Sequence, residues 1–261
     1  MTTTFEKHGQ PTAIFPQRQQ YHYLIVQQGT LPLYPTNKRD PSVEHRCTSL
    51  VIWPAHSVPG AENTILIDPC FTATGYQYAQ TQLESLDLSF HDLGYIFITH
   101  RHVDHVPVMP GKYKFPYFQK EISPFLPDID LVACPGHAPD LQALVFCSVS
   151  CEQVWVVGDA ILNLPWLQAW QYYWPNAYTA QEVVRTWNSV ARILSQADII
   201  IPGHGENISI TAELLATLRK SFSSAEYAEE CPQVEPLLRQ RQQQLLEREE
   251  QRHATFSGRI E

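Results

Sequence analysis

Short runs of β-branched and aromatic residues recur along this chain, and five of them end in a turn that carries His or Asp. The runs are Tyr21–Val26, Cys47–Trp53, Thr64–Ile67, Tyr95–Ile98, Ile129–Ala133, Leu141–Phe146, Val154–Val157 and Asp198–Ile201. Runs of this length, bounded by turn chemistry, predict strands. Helical spacing falls between or after them, at about 75–86, 180–195 and 211–223. Strands interleaved with helices predict an α/β sandwich rather than an all-β barrel.

The chain has 261 residues, of which 44% are hydrophobic and 11% aromatic. That supports a sizeable core and excludes wholesale disorder. The formal charge of -9 gives no electrostatic help towards a phosphate backbone, so no nucleic-acid partner is expected. Bound cations would cancel part of that charge locally, which leaves a phosphate ester open as a substrate. The six cysteines are scattered and form no C-x-x-C pair, as in a reduced, intracellular chain. The first residues lack a basic end and an apolar stretch, and no apolar run is as long as a membrane span. The expectation is a cytoplasmic protein with no membrane partner.

Chemistry concentrates at the strand ends. Asp68-Pro69 follows Thr64–Ile67, and Thr99-His100-Arg101-His102-Val103-Asp104-His105 follows Tyr95–Ile98. Cys134-Pro135-Gly136-His137 follows Ile129–Ala133. Gly158-Asp159 ends Val154–Val157, and Pro202-Gly203-His204-Gly205 ends Asp198–Ile201. Rigid strands fix such loops, so side chains on one rim can converge on a point. Alone, His137 or His204 would be an ordinary turn histidine, and Gly158-Asp159 an ordinary turn. Three histidines and a carboxylate within His100–His105 are too dense for packing and favour metal. Imidazole and carboxylate without thiolate suit zinc, with iron or manganese as alternatives. His8, His22, His45, His56, His91 and His253 lack such a context and are left out of the expected site.

The ordered set His-x-His-x-Asp-His, Pro-Gly-His, Gly-Asp and Gly-His, preceded by Asp68, resembles the metallo-β-lactamase-fold hydrolase superfamily, glyoxalase II and lactonases included. The resemblance spans about residues 47–206. It implies a four-layer αββα sandwich and a site for two divalent metal ions. His100, His102 and His137 would hold one ion. Asp104, His105 and His204 would hold the other, with Asp159 bridging. Asp68 and Thr99 would lie just outside, bonded to ligands rather than to metal. Asp104 and Asp159 would also be the catalytic carboxylates.

The reaction so implied is hydrolysis of a small ester-like substrate, a thioester, lactone or phosphodiester, by a hydroxide that the metals share. The alternative on the same fold is a mononuclear iron dioxygenase of the persulfide dioxygenase type. Diiron redox relatives carry Glu where His102 stands, which favours hydrolysis here. A non-catalytic binding role is the third class, and a complete ligand set argues against it.

The chain departs from the superfamily pattern after each ligand cluster, with Val106-Pro107-Val108 and Ala138-Pro139-Asp140. The segment from His105 to His137 is short, and Tyr113, Phe115, Pro116, Tyr117 and Phe118 in it would make an apolar wall or reroute the chain away from the metals. Downstream, Trp166, Trp170, Tyr172, Tyr173, Trp174, Tyr178 and Trp187 read as core or as a pocket wall, with Tyr172 and Tyr173 the candidates for the pocket. Trp170 to Trp174 fits helical spacing. The hydrolase domain is placed at 1–225. Residues 226–261 form a polar helical extension with a thin stripe of Val234, Leu238 and Leu245, packed on the domain or in a homodimer contact.

Overall fold

Residue alternation in the central strands decides the architecture. The computed structural model describes residues 18–107 and 126–257, with side chains to 252. The strands are β1 (Gln20–Gln27), β2 (Ser49–Pro54), β3 (Ile65–Ile67), β4 (Tyr95–Phe97), β5 (Asp130–Ala133), β6 (Gln142–Ser148), β7 (Gln153–Gly158), β8 (Ile199–Pro202) and β9 (Ile208–Ser209). The helices are α1 (Ala73–Glu84), α2 (Leu164–Gln168), α3 (Ala180–Gln196), α4 (Ala212–Phe222) and α5 (Val234–Ser257). Hydrogen bonding runs β4-β3-β2-β1-β6-β7-β8-β9, with β5 also on β6.

Leu50 and Ile52 of β2, Leu144 and Phe146 of β6, and Val154 and Val156 of β7 meet in a single buried cluster. Strands from opposite ends of the hydrogen-bonded order can share that cluster only if the sheet folds over and its halves face each other. The fold lies at β1 and β6, which pair in parallel through Gln20–Cys147 and Tyr21–Ser148. The intervening residues point outward. Val51, Trp53 and Leu66 pack against Ala79 and Leu83 of α1. Ala143, Val145, Trp155 and Val157 pack against Val183, Trp187, Val190 and Leu194 of α3, with α4 and α5 outside. The layers are therefore α, β, β, α, as the resemblance implies. Burying each large apolar side chain contributes about 1.5–3 kcal/mol. A one-residue slip would send a whole strand's set to the wrong face, so the register is strongly fixed.

Helix ends follow local chemistry. Thr72 caps α1 by accepting from the Gly75 amide, and Thr211 caps α4 by accepting from the Leu214 amide. Thr179 and Glu182 form a reciprocal capping box at the start of α3. On α5, Val234 and Leu238 are fully buried, Leu245 is partly so, and the buried Arg241 donates to the Ala197 carbonyl and to Asp198.

Three details differ from the sequence reading or lie beyond it. The two-residue β9 is too short to leave a pattern. Trp170 to Trp174 is not a helix: α2 ends at Gln168, and Trp170 takes φ 46°, packing edge-on against Trp187 and Phe222. Tertiary burial of the indole overrides helical spacing there. The aromatic segment Tyr113–Phe118 lies outside the described residues. Among those residues no helix is long and apolar enough to cross a membrane.

Candidate metal centre

β3 pairs in parallel with β4, and β7 with β8, so each pair delivers two loops to the same rim. Asp68 follows β3, and the His100–His105 segment follows β4. Asp159 follows β7, and His204 follows β8. His137 arrives on the turn after β5. Two glycines make the turns possible. Gly136 takes φ 140°, and a Cβ there would lie 2.5 Å from the Thr186 amide nitrogen. Gly158 takes φ 49°, and a Cβ there would collide with Thr99.

The rim gathers all seven expected ligands into two groups that share Asp159. In one, ligand atoms of His100, His102, His137 and Asp159 lie within 4.8 Å of one another; in the other, those of Asp104, His105, Asp159 and His204 do. His102 Nδ1 is 3.1 Å from His100 Nε2 and 2.9 Å from His137 Nε2. Asp159 Oδ2 faces that group, 3.3 Å from His137 Nε2. Its Oδ1 faces the other, 3.2 Å from both His105 Nε2 and His204 Nε2. Asp104 Oδ2 lies 3.5 Å from His204 Nε2.

Partners behind the rings fix their tautomers. The Thr99 amide and hydroxyl donate to the two oxygens of Asp68, at 2.8 and 2.7 Å. With its proton so used, Thr99 Oγ1 accepts from His100 Nδ1 at 3.1 Å. His105 Nδ1 donates to Asp68 Oδ2 at 2.8 Å, and His204 Nδ1 donates to the Arg46 carbonyl at 2.8 Å. Asp68 and Thr99 thus bond to the Nδ1 atoms of His105 and His100, on the side of each ring away from the centre. In each of the three rings the hydrogen bond at Nδ1 leaves Nε2 turned to the centre.

Lone pairs facing lone pairs require a positive charge between them. His105 Nε2 and Asp159 Oδ1 are both buried without a hydrogen-bond partner, although they lie 3.2 Å apart. Burial, with neighbouring imidazoles, pushes His100 down to about 2 and His137 down to about 4, against the pull of Asp159. Burial also opposes the charged form of His105, but Asp159 and Asp68 outweigh it and its pKa rises well above the ordinary value. Asp159 resists burial because His204, His105 and His137 surround it, and its pKa falls well below the carboxylate range. Burial thus favours neutral His100 and His137, whereas the carboxylates beside His105 draw positive charge. Orphaned buried acceptors with an oxygen and nitrogen donor set fit divalent cations.

The sequence reading left out His45 and gave Tyr178 only as core or pocket wall, and both reach the site. His45, left out above, places Nε2 3.1 Å from Asp104 Oδ2, and its ring centroid is 4.8 Å from that of His204. It rides on the loop between β1 and β2, where no strand pattern flags it. The Tyr178 hydroxyl lies 2.8 Å from His137 Nδ1 and accepts from Asn176 Nδ2 at 3.0 Å. The signal for it was the α3 capping box, which begins at the next residue.

A cleft of about 400 Å³ opens over the ligands, with Leu31, His45, Leu162, Tyr173 and Asn176 on its walls. Tyr173 lines it. Tyr172 lines a narrow apolar cavity of about 20 Å³ behind, and its hydroxyl donates to Glu226. Trp166, Trp170 and Trp187 are core, and Trp174 is exposed.

No protein-family model and no curated protein matches the chain. Solved structures do. A Staphylococcus aureus protein described as a probable metal-dependent hydrolase superposes with a TM-score of 0.50 at 13% identity, covering 74% of this chain and 91% of that one. A metallo-β-lactamase family protein from Thermus thermophilus gives a TM-score of 0.47 at 15% identity, over 76% and 77% of the two chains. An N-acyl homoserine lactone hydrolase, solved with the product N-hexanoyl-L-homoserine at its catalytic metal centre, gives 0.45 at 13%, over 72% and 94%. The superposition at a TM-score of 0.50 shows that the chain shares the fold of that Staphylococcus aureus structure, and its four layers are those of the αββα sandwich expected from the sequence.

Proposed function

We propose that this protein is a metal-dependent hydrolase that holds two divalent cations and acts on a small ester-like substrate: a thioester, a lactone or a phosphodiester. The observation that carries the reading is Asp159, whose two oxygens each face a separate set of imidazoles. His100, His102, His137 and Asp159 Oδ2 would hold one cation. Asp104, His105, His204 and Asp159 Oδ1 would hold the other. Zinc suits the donor set best, with iron or manganese next. When bound, such a pair supplies Lewis-acid polarisation and a water acidified towards neutral pH.

The remaining work falls to the chain itself. Asp159 offsets charge at the centre. Asp104 lines the cleft and is more exposed there than Asp159, so it would orient the attacking water while one oxygen serves as ligand. Thr99, Asp68 and the Arg46 carbonyl hold protons on Nδ1 of His100, His105 and His204, so each Nε2 stays a ligand. Leu31 and Leu162 with Tyr173 give the cleft an apolar wall suited to a small substrate.

The test is elemental analysis of the purified protein, joined to a panel of thioesters, lactones and phosphodiesters. The expected result is two equivalents of divalent metal and turnover in one ester class, with His102→Ala lowering the metal content and removing the turnover. A single iron with oxygen uptake would overturn the reading in favour of the dioxygenase.

A further inference from the structure

Most ligand side chains here have a partner behind them that sets their aim. His100 has Thr99, His105 has Asp68, His137 has Tyr178 and His204 has the Arg46 carbonyl. Asp104 is half-buried at the cleft, and its carboxylate could swing. Among the described residues, the group within hydrogen-bonding reach of it, besides His204, is His45, with Nε2 3.1 Å from Oδ2.

The loop that carries His45 is built onto the site. Thr30 and Arg46 exchange backbone hydrogen bonds across it, each at 2.9 Å. The Thr48 amide donates to the Gly203 carbonyl, and Gln28 Nε2 donates to the Gly205 carbonyl. Leu31 and Leu33 pack on Leu162 and Trp166. His45 therefore sits one residue before the carbonyl that orients His204, on a backbone fastened to the His204 turn. Its ring nitrogens are not among the atoms that converge within 4.8 Å. That makes it a partner of a ligand and not itself a ligand.

We infer that His45 is a positioning residue which, by donating from Nε2 to Asp104 Oδ2, holds that carboxylate in place for the second cation. The inference rests on the two-cation reading above. It extends the site to a loop outside every metal-binding motif in the sequence.

The experiment titrates the metal-free full chain with zinc against a chromophoric chelator, for the wild type, His45→Ala, His45→Gln and His204→Ala. Circular dichroism verifies that each is folded. His45→Ala should weaken one of two zinc equivalents by about 10–100-fold, the usual effect of losing a partner behind a ligand, and leave the other unchanged. His45→Gln, whose amide nitrogen reaches the position of Nε2, should stay near the wild type. His204→Ala should weaken the same equivalent at least as much. Unchanged binding in His45→Ala, equal weakening of both equivalents, or a Gln variant as weak as the Ala variant would overturn the inference. If His204→Ala also binds two equivalents normally, the two-cation reading fails with it.

Discussion

A carboxylate buried to 6% exposure is tolerated only where hydrogen bonds or positive charge meet its oxygens, and Asp159 has His105, His137 and His204 within 3.3 Å. The same logic reaches one residue further out, to Asp68, which is 1% exposed and accepts from Thr99 twice and from His105 once. Asp68→Ala should lower affinity for the cation near His105 by about 10–100-fold, read by competition with a chelator. Equal affinity would remove Asp68 from that role. At this scale the sequence exposed the residues on strand ends, because a strand followed by a tight turn fixes where a side chain points. It did not expose His45 or the bond of Tyr178 to His137. Their contacts run from loops to residues far along the chain, and no local pattern encodes a loop's path.

At the scale of elements, the start of α3 matters beyond its own helix. Thr179 and Glu182 cap it, and Tyr178 leans on His137 from the residue just before. Thr179→Ala should cost about 1 kcal/mol, the usual loss of an N-cap, seen as a lower denaturant midpoint at unchanged slope. The bonds from the Thr179 amide and hydroxyl hold the Glu182 carboxyl below its ordinary range. A depressed carboxylate contributes stability above its unfolded value and loses it as pH falls through the folded one. The gap between wild type and variant should therefore narrow on acidification, and a gap that widens would contradict the capping box. Most strands and the long helices were legible from periodicity. The Trp170 turn was not, since burial against Trp187 and Phe222 set it, and neither was β9, which at two residues carries no period.

At the scale of the molecule, the expected ligands divide between the two halves of the sheet. Asp104, His100, His102 and His105 follow β4, whereas His137, Asp159 and His204 follow β5, β7 and β8. Each expected cation draws ligands from both halves. Cation binding should then stabilise the folded chain by mass action, about 4 kcal/mol at a thousand times the dissociation constant. Chelation should lower the melting temperature, and readdition of zinc should restore it. A melting temperature indifferent to metal would mean that the site forms without loading the fold.

The narrow junction of β1 and β6 gives that coupling a mechanical sense. Two backbone pairs join the halves along the sheet, and side-chain packing holds their faces together. Ions at the rim would act as a clasp on a hinged book, drawn from both covers and far from the spine. Opening the covers would break the clasp before it broke the spine, so the chemistry would be lost at smaller excursions than the fold.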